Sequence, residues 1–191
     1  MNFKYFLNEA SKTTVQPKNK VELKKIIEDT IKEQGFNCDL NFIDTSLIKD
    51  MSTLFAESNF NGDISKWNTS RVKTMEQMFN NSKFNRDISK WDVSNVRDMS
   101  CMFYSSNFNG DISQWNVSKV ENMSAMFAES KFNTDISKWN VSNVKDMEAM
   151  FKGSKFNGVI SKWDVSNVKN IIDMFKGSPL EDNEHDWYLC R

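Results

Sequence analysis

Apolar positions return along this chain at a fixed interval of 24 residues. Trp stands at 67, 91, 115, 139, 163 and 187, and Phe at 60, 84, 108, 132 and 156. Met-Phe recurs at 78/79, 102/103, 126/127, 150/151 and 174/175, with Leu54-Phe55 in front. A fixed period of this size marks stacked units, none of which buries its apolar face alone. Two shorter periods alternate inside each unit. Val96, Met99, Met102 and Phe103 have the i, i+3, i+6, i+7 spacing of a helical stripe. Ser94 stands before it as an N-cap, as do Ser70, Ser118, Ser142 and Ser166 in other copies. The run Asp-Ile-Ser-Lys-Trp is too short for a helix. It sets Ile between polar neighbours, the pattern of a short strand stacking in parallel on its copies.

The flanks follow other rules. Residues 1–18 show no period and read as an irregular linker, with Pro17 near its end. In 19–35, Asn19 with Glu22 forms a capping pair, Leu23, Ile26, Ile27 and Ile31 share one helical stripe, and Gly35 stands where a helix stops. This predicts a capping helix over the first repeat's exposed core. The repeat array is assigned to 36–178, its opening copy degenerate: Phe36, Asp39, Leu40, Ile43 and Met51 stand where later copies carry Phe60, Asp63, Ile64, Trp67 and Met75. Residues 179–191 form a C-terminal cap around Trp187 and His185, the single histidine.

Composition removes several classes of function. At 191 residues the chain fits one domain or one continuous array. A net charge of −1 and a pI near 5.9 point away from nucleic acid and from anionic membranes. Cys38, Cys101 and Cys190 occupy unrelated repeat positions, so reduced thiols are expected rather than a disulfide framework or a zinc site. Lys4, Asn8 and Glu9 interrupt the N-terminal apolar run, so no signal peptide is read. No stretch predicts membrane insertion.

The core D-[IL]-S-x-W-[DN]-V-S-x-V-x-[DN]-M-x-x-M-F, recurring in phase from about Phe36 to Trp187, closely resembles the BspA-type leucine-rich repeats of bacterial surface proteins and mycoplasma lipoproteins. The resemblance implies a leucine-rich-repeat-like solenoid, a role in interaction or adhesion, and no enzymatic activity. It also places the protein at the cell surface or outside a bacterial cell, where the missing signal peptide argues for the cytoplasm. The compartment is left open between the two. The fold class expected is therefore α/β, a right-handed solenoid of stacked 24-residue repeats with a short parallel strand and a short helix in each, capped by the N-terminal helix. Strands stack more closely than helices, so the strand side is expected to be concave.

Trp and Met-Phe are assigned to the core. Burying each indole removes roughly 150–250 Å², worth about 4–6 kcal/mol before ordering entropy is subtracted. That leaves a polar strip. Asp63, Asp87, Asp111 and Asp135 form a carboxylate column whose neighbours repel by about 1 kcal/mol per pair in water. The cations Lys66, Lys90, Lys138 and Lys162, interrupted by Gln114, stand ready to offset it. A bound Ca²⁺ is the other candidate, but one carboxylate per repeat is a sparse cage, so no metal and no cofactor is assigned. Asn61, Asn85, Asn109, Asn133 and Asn157 read as turn residues that satisfy backbone groups. Arg86 and Thr134 stand where other repeats carry Gly62, Gly110 and Gly158, a variable position that reads equally as a specificity site or as neutral surface. No set of residues forms a nucleophile with its base, or an acid with its base. The expected function is non-enzymatic binding of a protein partner through Asp63, Lys66, Arg86, Asp87, Lys90, Asp111, Gln114, Thr134, Asp135 and Lys138. A glycan- or Ca²⁺-binding adhesin module is the alternative.

Overall fold

A computed structural model describes residues 14–183. Its first element is α1 (Lys20–Gln34). Asn19 accepts the Glu22 N–H at 3.0 Å, and the Gly35 N–H closes the far end on the Ile31 carbonyl with a left-handed φ of 86°. Leu23 and Ile27 are fully buried, and Ile26 and Ile31 pack beside them on the core of the opening repeat. Each of the two buried side chains contributes about 1.5–3 kcal/mol. Ahead of α1, Val15 pairs in parallel with Ile43.

The repeats contain neither the strand nor the helix that their spacing predicts. Among the described residues the only α-helix is α1, and pairing between repeats consists of isolated parallel bridges with no sheet. The α/β, leucine-rich-repeat-like right-handed solenoid is thereby overturned, and the concave strand face falls with the strands that were to form it. Val96, Met99, Met102 and Phe103 do point into the core, but they ride on successive turns. The Met102 N–H bonds the Met99 carbonyl and the Ser106 N–H bonds that of Phe103, while Cys101 and Ser105, third in each turn, have φ of 53° and 50°. A helix would send every N–H back four residues. Here alternate N–H groups leave the repeat altogether: Met99, Cys101, Phe103 and Ser105 donate to the carbonyls of Asn122, Ser124, Met126 and Ala128 at 2.8–3.0 Å. An inward return every third or fourth residue suits both geometries, so spacing alone does not separate them.

The bridges join Asp50, Thr74, Asp98, Asn122, Asp146 and Asn170, within the segment whose spacing predicts a helix. In the supposed strand a single bridge forms, Asp39 to Asp63. Side-chain oxygens instead shape the corners. Asp87 accepts from Ser89, Asp92 from Ser94, Asp98 from Ser100, and Ser106 from Phe108, always the N–H two residues on. Ser94 is thus the donor at a corner, not the cap of a helix.

The core between the corners is a set of aromatic ladders. Rings of the Phe55, Phe79, Phe103, Phe127, Phe151, Phe175 series lie 5.6–6.1 Å apart. Those of the Phe60, Phe84, Phe108, Phe132, Phe156 series lie 6.1–6.4 Å apart. Trp67, Trp91, Trp115, Trp139 and Trp163 are 3–5% exposed. Each indole N–H donates to a carbonyl of the preceding repeat at 3.0–3.2 Å, from Trp67 to Leu40 through to Trp163 to Ile136. A buried Trp needs such an acceptor. Trp187, His185 and Cys190 lie outside the described residues.

Candidate functional site

The Asp-Ile-Ser corner carries the polar strip. Ile88 and Trp91 are drawn inward, which turns Asp87 and Lys90 outward, and the same holds for Asp63 with Lys66 and Asp135 with Lys138. Asp111 and Gln114 stand between them, and all of these side chains are exposed. Each carboxylate is already engaged: Asp63, Asp87, Asp111 and Asp135 accept the N–H of Ser65, Ser89, Ser113 and Ser137 at 2.8–2.9 Å. These backbone bonds are the foremost cause holding the four carboxyls below the usual Asp range. Lys66, Lys90 and Lys138 add a weaker pull on Asp63, Asp87 and Asp135, and the neighbouring Asp63 pushes Asp87 the other way. Backbone amides, more than the lysines, therefore offset the repulsion along the column. No ion pair among the described residues joins the Asp and Lys columns.

Two of the expected residues are turned to other work. Arg86 Nε donates to the Asn61 carbonyl at 2.9 Å, and Thr134 Oγ1 to that of Gly110 at 3.1 Å, so both brace the preceding repeat. Beside them, Asn61, Asn85, Asn109 and Asn133 each accept the N–H of the Asn one repeat later, at 2.7–2.9 Å. Ser65, Lys66, Asp87 and Lys90 come together around a shallow hollow of about 160 Å³ between two repeats. The carboxylate column ends at Val159, which is 66% exposed. Among the described residues no three His, Cys, Asp or Glu side chains gather as metal ligands. None of the described helices is long and apolar enough to cross a membrane. Cys38 and Cys101 are free thiols, pushed up by burial.

The internal repeat agrees with a match to a family model. The model described as "Mycoplasma protein of unknown function, DUF285" covers residues 22–130 and 104–188. The chain belongs to this family. The DUF285 match takes in α1 and the repeats, and it supports a mycoplasma-type repeat protein without extending to the BspA-type leucine-rich repeat. No curated protein and no solved structure matches the chain.

Sequence reasoning missed a second, larger hollow of about 550 Å³ where α1 meets the opening repeats, lined by Lys18, Lys20, Leu47, Lys49, Asp50 and Arg71 among others. No sequence spacing signals it. The fold brings residues about 30 positions apart together there, as the Lys20 ammonium shows by lying 3.3 Å from Asp50 and against Ser52.

Proposed function

We propose that this DUF285 chain is a non-enzymatic interaction module that binds a protein partner through the Asp–Lys strip. The observation that carries the reading is how the repeat divides its residues. Trp, Met and Phe columns are buried almost without remainder, while Asp and Lys columns stand exposed, close together and joined by no ion pair. Exposed charges of both signs in a regular array favour complementary recognition of another protein, setting specificity and encounter rate more than raw affinity. The recess between Lys66, Asp87 and Lys90 offers that array one anchoring point. The likeness of the repeat core to BspA-type surface proteins supports an interaction or adhesion role.

The test is affinity capture from the native organism, comparing wild type with the double variant Asp87→Lys/Asp111→Lys. Partners specific to the strip are recovered by wild type and lost from the variant. Identical recovery by both baits overturns the reading. Titration with Ca²⁺ and a glycan array address the alternative, a cation- or carbohydrate-binding adhesin, for which a saturable response in either would be required.

A further inference from the structure

The hollow at the start of α1 concentrates cations. Lys18, Lys20, Lys49 and Arg71 face it with a single carboxylate, Asp50, which leaves a formal charge of 4 − 1 = +3. Asp50 is already committed to Lys20 at 3.3 Å and to the Ser52 N–H at 2.8 Å. No ion pair among the described residues takes up Lys18, Lys49 or Arg71. The same columns are handled differently further along the chain. Arg97 and Lys145, which repeat the Lys49 position, share Glu121 at 2.6 and 2.5 Å. Lys119, which repeats the Arg71 position, donates to Asn95 at 2.8 Å. Glu121 supplies a partner in the middle of the array, whereas Lys49 at the hollow, like Lys73 and Lys169 in its column, enters no ion pair among the described residues. Like charges gathered without a counter-ion repel, and an anion seated among them relieves that repulsion. A recess of about 550 Å³ falls within the roughly 300–1,000 Å³ typical of small-ligand sites. Leu47, 39% exposed, adds an apolar wall.

We propose that this hollow binds a small ligand bearing phosphate groups. Arg71 would grip the phosphate oxygens through its planar fork, and Lys18 and Lys49 act as point charges on either side. Phosphate fits better than a carboxylate because three uncompensated cations call for a multiply charged group. The site is separate from the Asp–Lys strip, so the two readings stand or fall independently.

Inorganic pyrophosphate is the probe, followed by amide NMR shifts and by calorimetry. Saturable binding is expected, with shifts confined to the neighbourhood of Lys18, Lys49 and Arg71, and acetate at the same ionic strength should not saturate. Lys49→Gln and Arg71→Gln, both at exposed positions, should each weaken pyrophosphate by about tenfold, the loss of one charge-assisted contact. Lys169→Gln, in the Lys49 column but distant in the array, should leave affinity unchanged. Thermal unfolding of each variant shows that it is folded. The proposal is overturned by no saturation up to about 10 mM, a threshold that would leave only a few kcal/mol of binding. It is equally overturned if sodium chloride at matched ionic strength reproduces the shifts, or if Lys169→Gln costs as much as Arg71→Gln.

Discussion

Two sides of each repeat hold their neighbours by different means. Around Met99 to Ser105 main chain meets main chain, with four N–H groups passing directly to the next repeat. Around Asn85 to Trp91 the link is made by side chains, through the Asn ladder and the indole N–H. The rings record the difference, lying 5.6–6.1 Å apart on the Phe55 ladder and 6.1–6.4 Å on the Phe60 ladder. Where backbone bonds backbone, the side chain is free to change: Thr53, Gln77, Cys101, Ala125, Ala149 and Asp173 fill one column. Where the Asn side chain bridges, identity is held, and Asn61, Asn85, Asn109, Asn133 and Asn157 do not vary, whereas the next column, in which Arg86 and Thr134 add bridges of their own, otherwise carries glycine.

The hardest blow to the bridged side is Trp115→Ala. It empties a buried ring site and removes the indole bond to the Ile88 carbonyl, which keeps only the Trp91 N–H, and should cost about 3–5 kcal/mol in urea unfolding. Trp115→Phe, which keeps most of the volume, should cost less than half as much. Next comes Gly62→Ala. A Cβ there would collide with the Cys38 carbonyl oxygen, a backbone atom, whereas at Gly110 the close neighbours are atoms of the Phe108 ring, and Arg86 lies 3.8 Å away. Gly62→Ala should cost about 1–3 kcal/mol. Gly110→Ala should cost less than Gly62→Ala, because only the Phe108 ring must shift and the column already accepts Arg86 and Thr134. Asn109→Ala removes the acceptor of the Asn133 N–H, and should cost about 1 kcal/mol, tempered because that N–H can reach water.

The backbone-bonded side should respond in the opposite sense. Ala125 has a φ of 51°, and the equivalent turn position four residues on carries glycine in Gly153 and Gly177. Ala125→Gly should stabilise by about 0.5–1 kcal/mol, since the left-handed strain outweighs the added chain entropy. The smallest effect is expected at Asp87. Its carboxyl is held below the ordinary value of 3.8 mainly by the Ser89 N–H, so it contributes stability above that pH and loses it as the pH falls through the lower, folded-state value. Asp87→Asn keeps the acceptor oxygen. It should lower the urea midpoint slightly at pH 7 and flatten its fall below about pH 4, so that the two proteins converge when the titration is repeated at pH 3.

Much of this was legible in the chain. The 24-residue period marks the unit, and the apolar columns name the core, because burying an indole outweighs leaving it in water. α1 was legible too, since Asn19, Glu22 and Gly35 state both of its ends. The conformation inside the repeat was not. Met99, Met102 and Phe103 return inward equally well on a helix or on linked turns, and nothing in Cys101 or Ser105 announces a positive φ. Likeness to leucine-rich repeats then supplied strands that the Asp-Ile-Ser corner does not form. The exposed Asp–Lys strip followed from inward Ile and Trp, but the diversion of Arg86 and Thr134 onto neighbouring carbonyls depends on distances between repeats. The hollow beside α1 is built across the fold from the degenerate opening repeat, where no periodicity helps.

Among the described residues, hydrogen bonds between repeats reach only the unit immediately before or after. The array consequently behaves as a modular ruler. Cutting out one whole unit in frame, such as 109–132, would bring together surfaces that already match, shortening the exposed Asp–Lys array while leaving the junction of α1 with the opening units untouched.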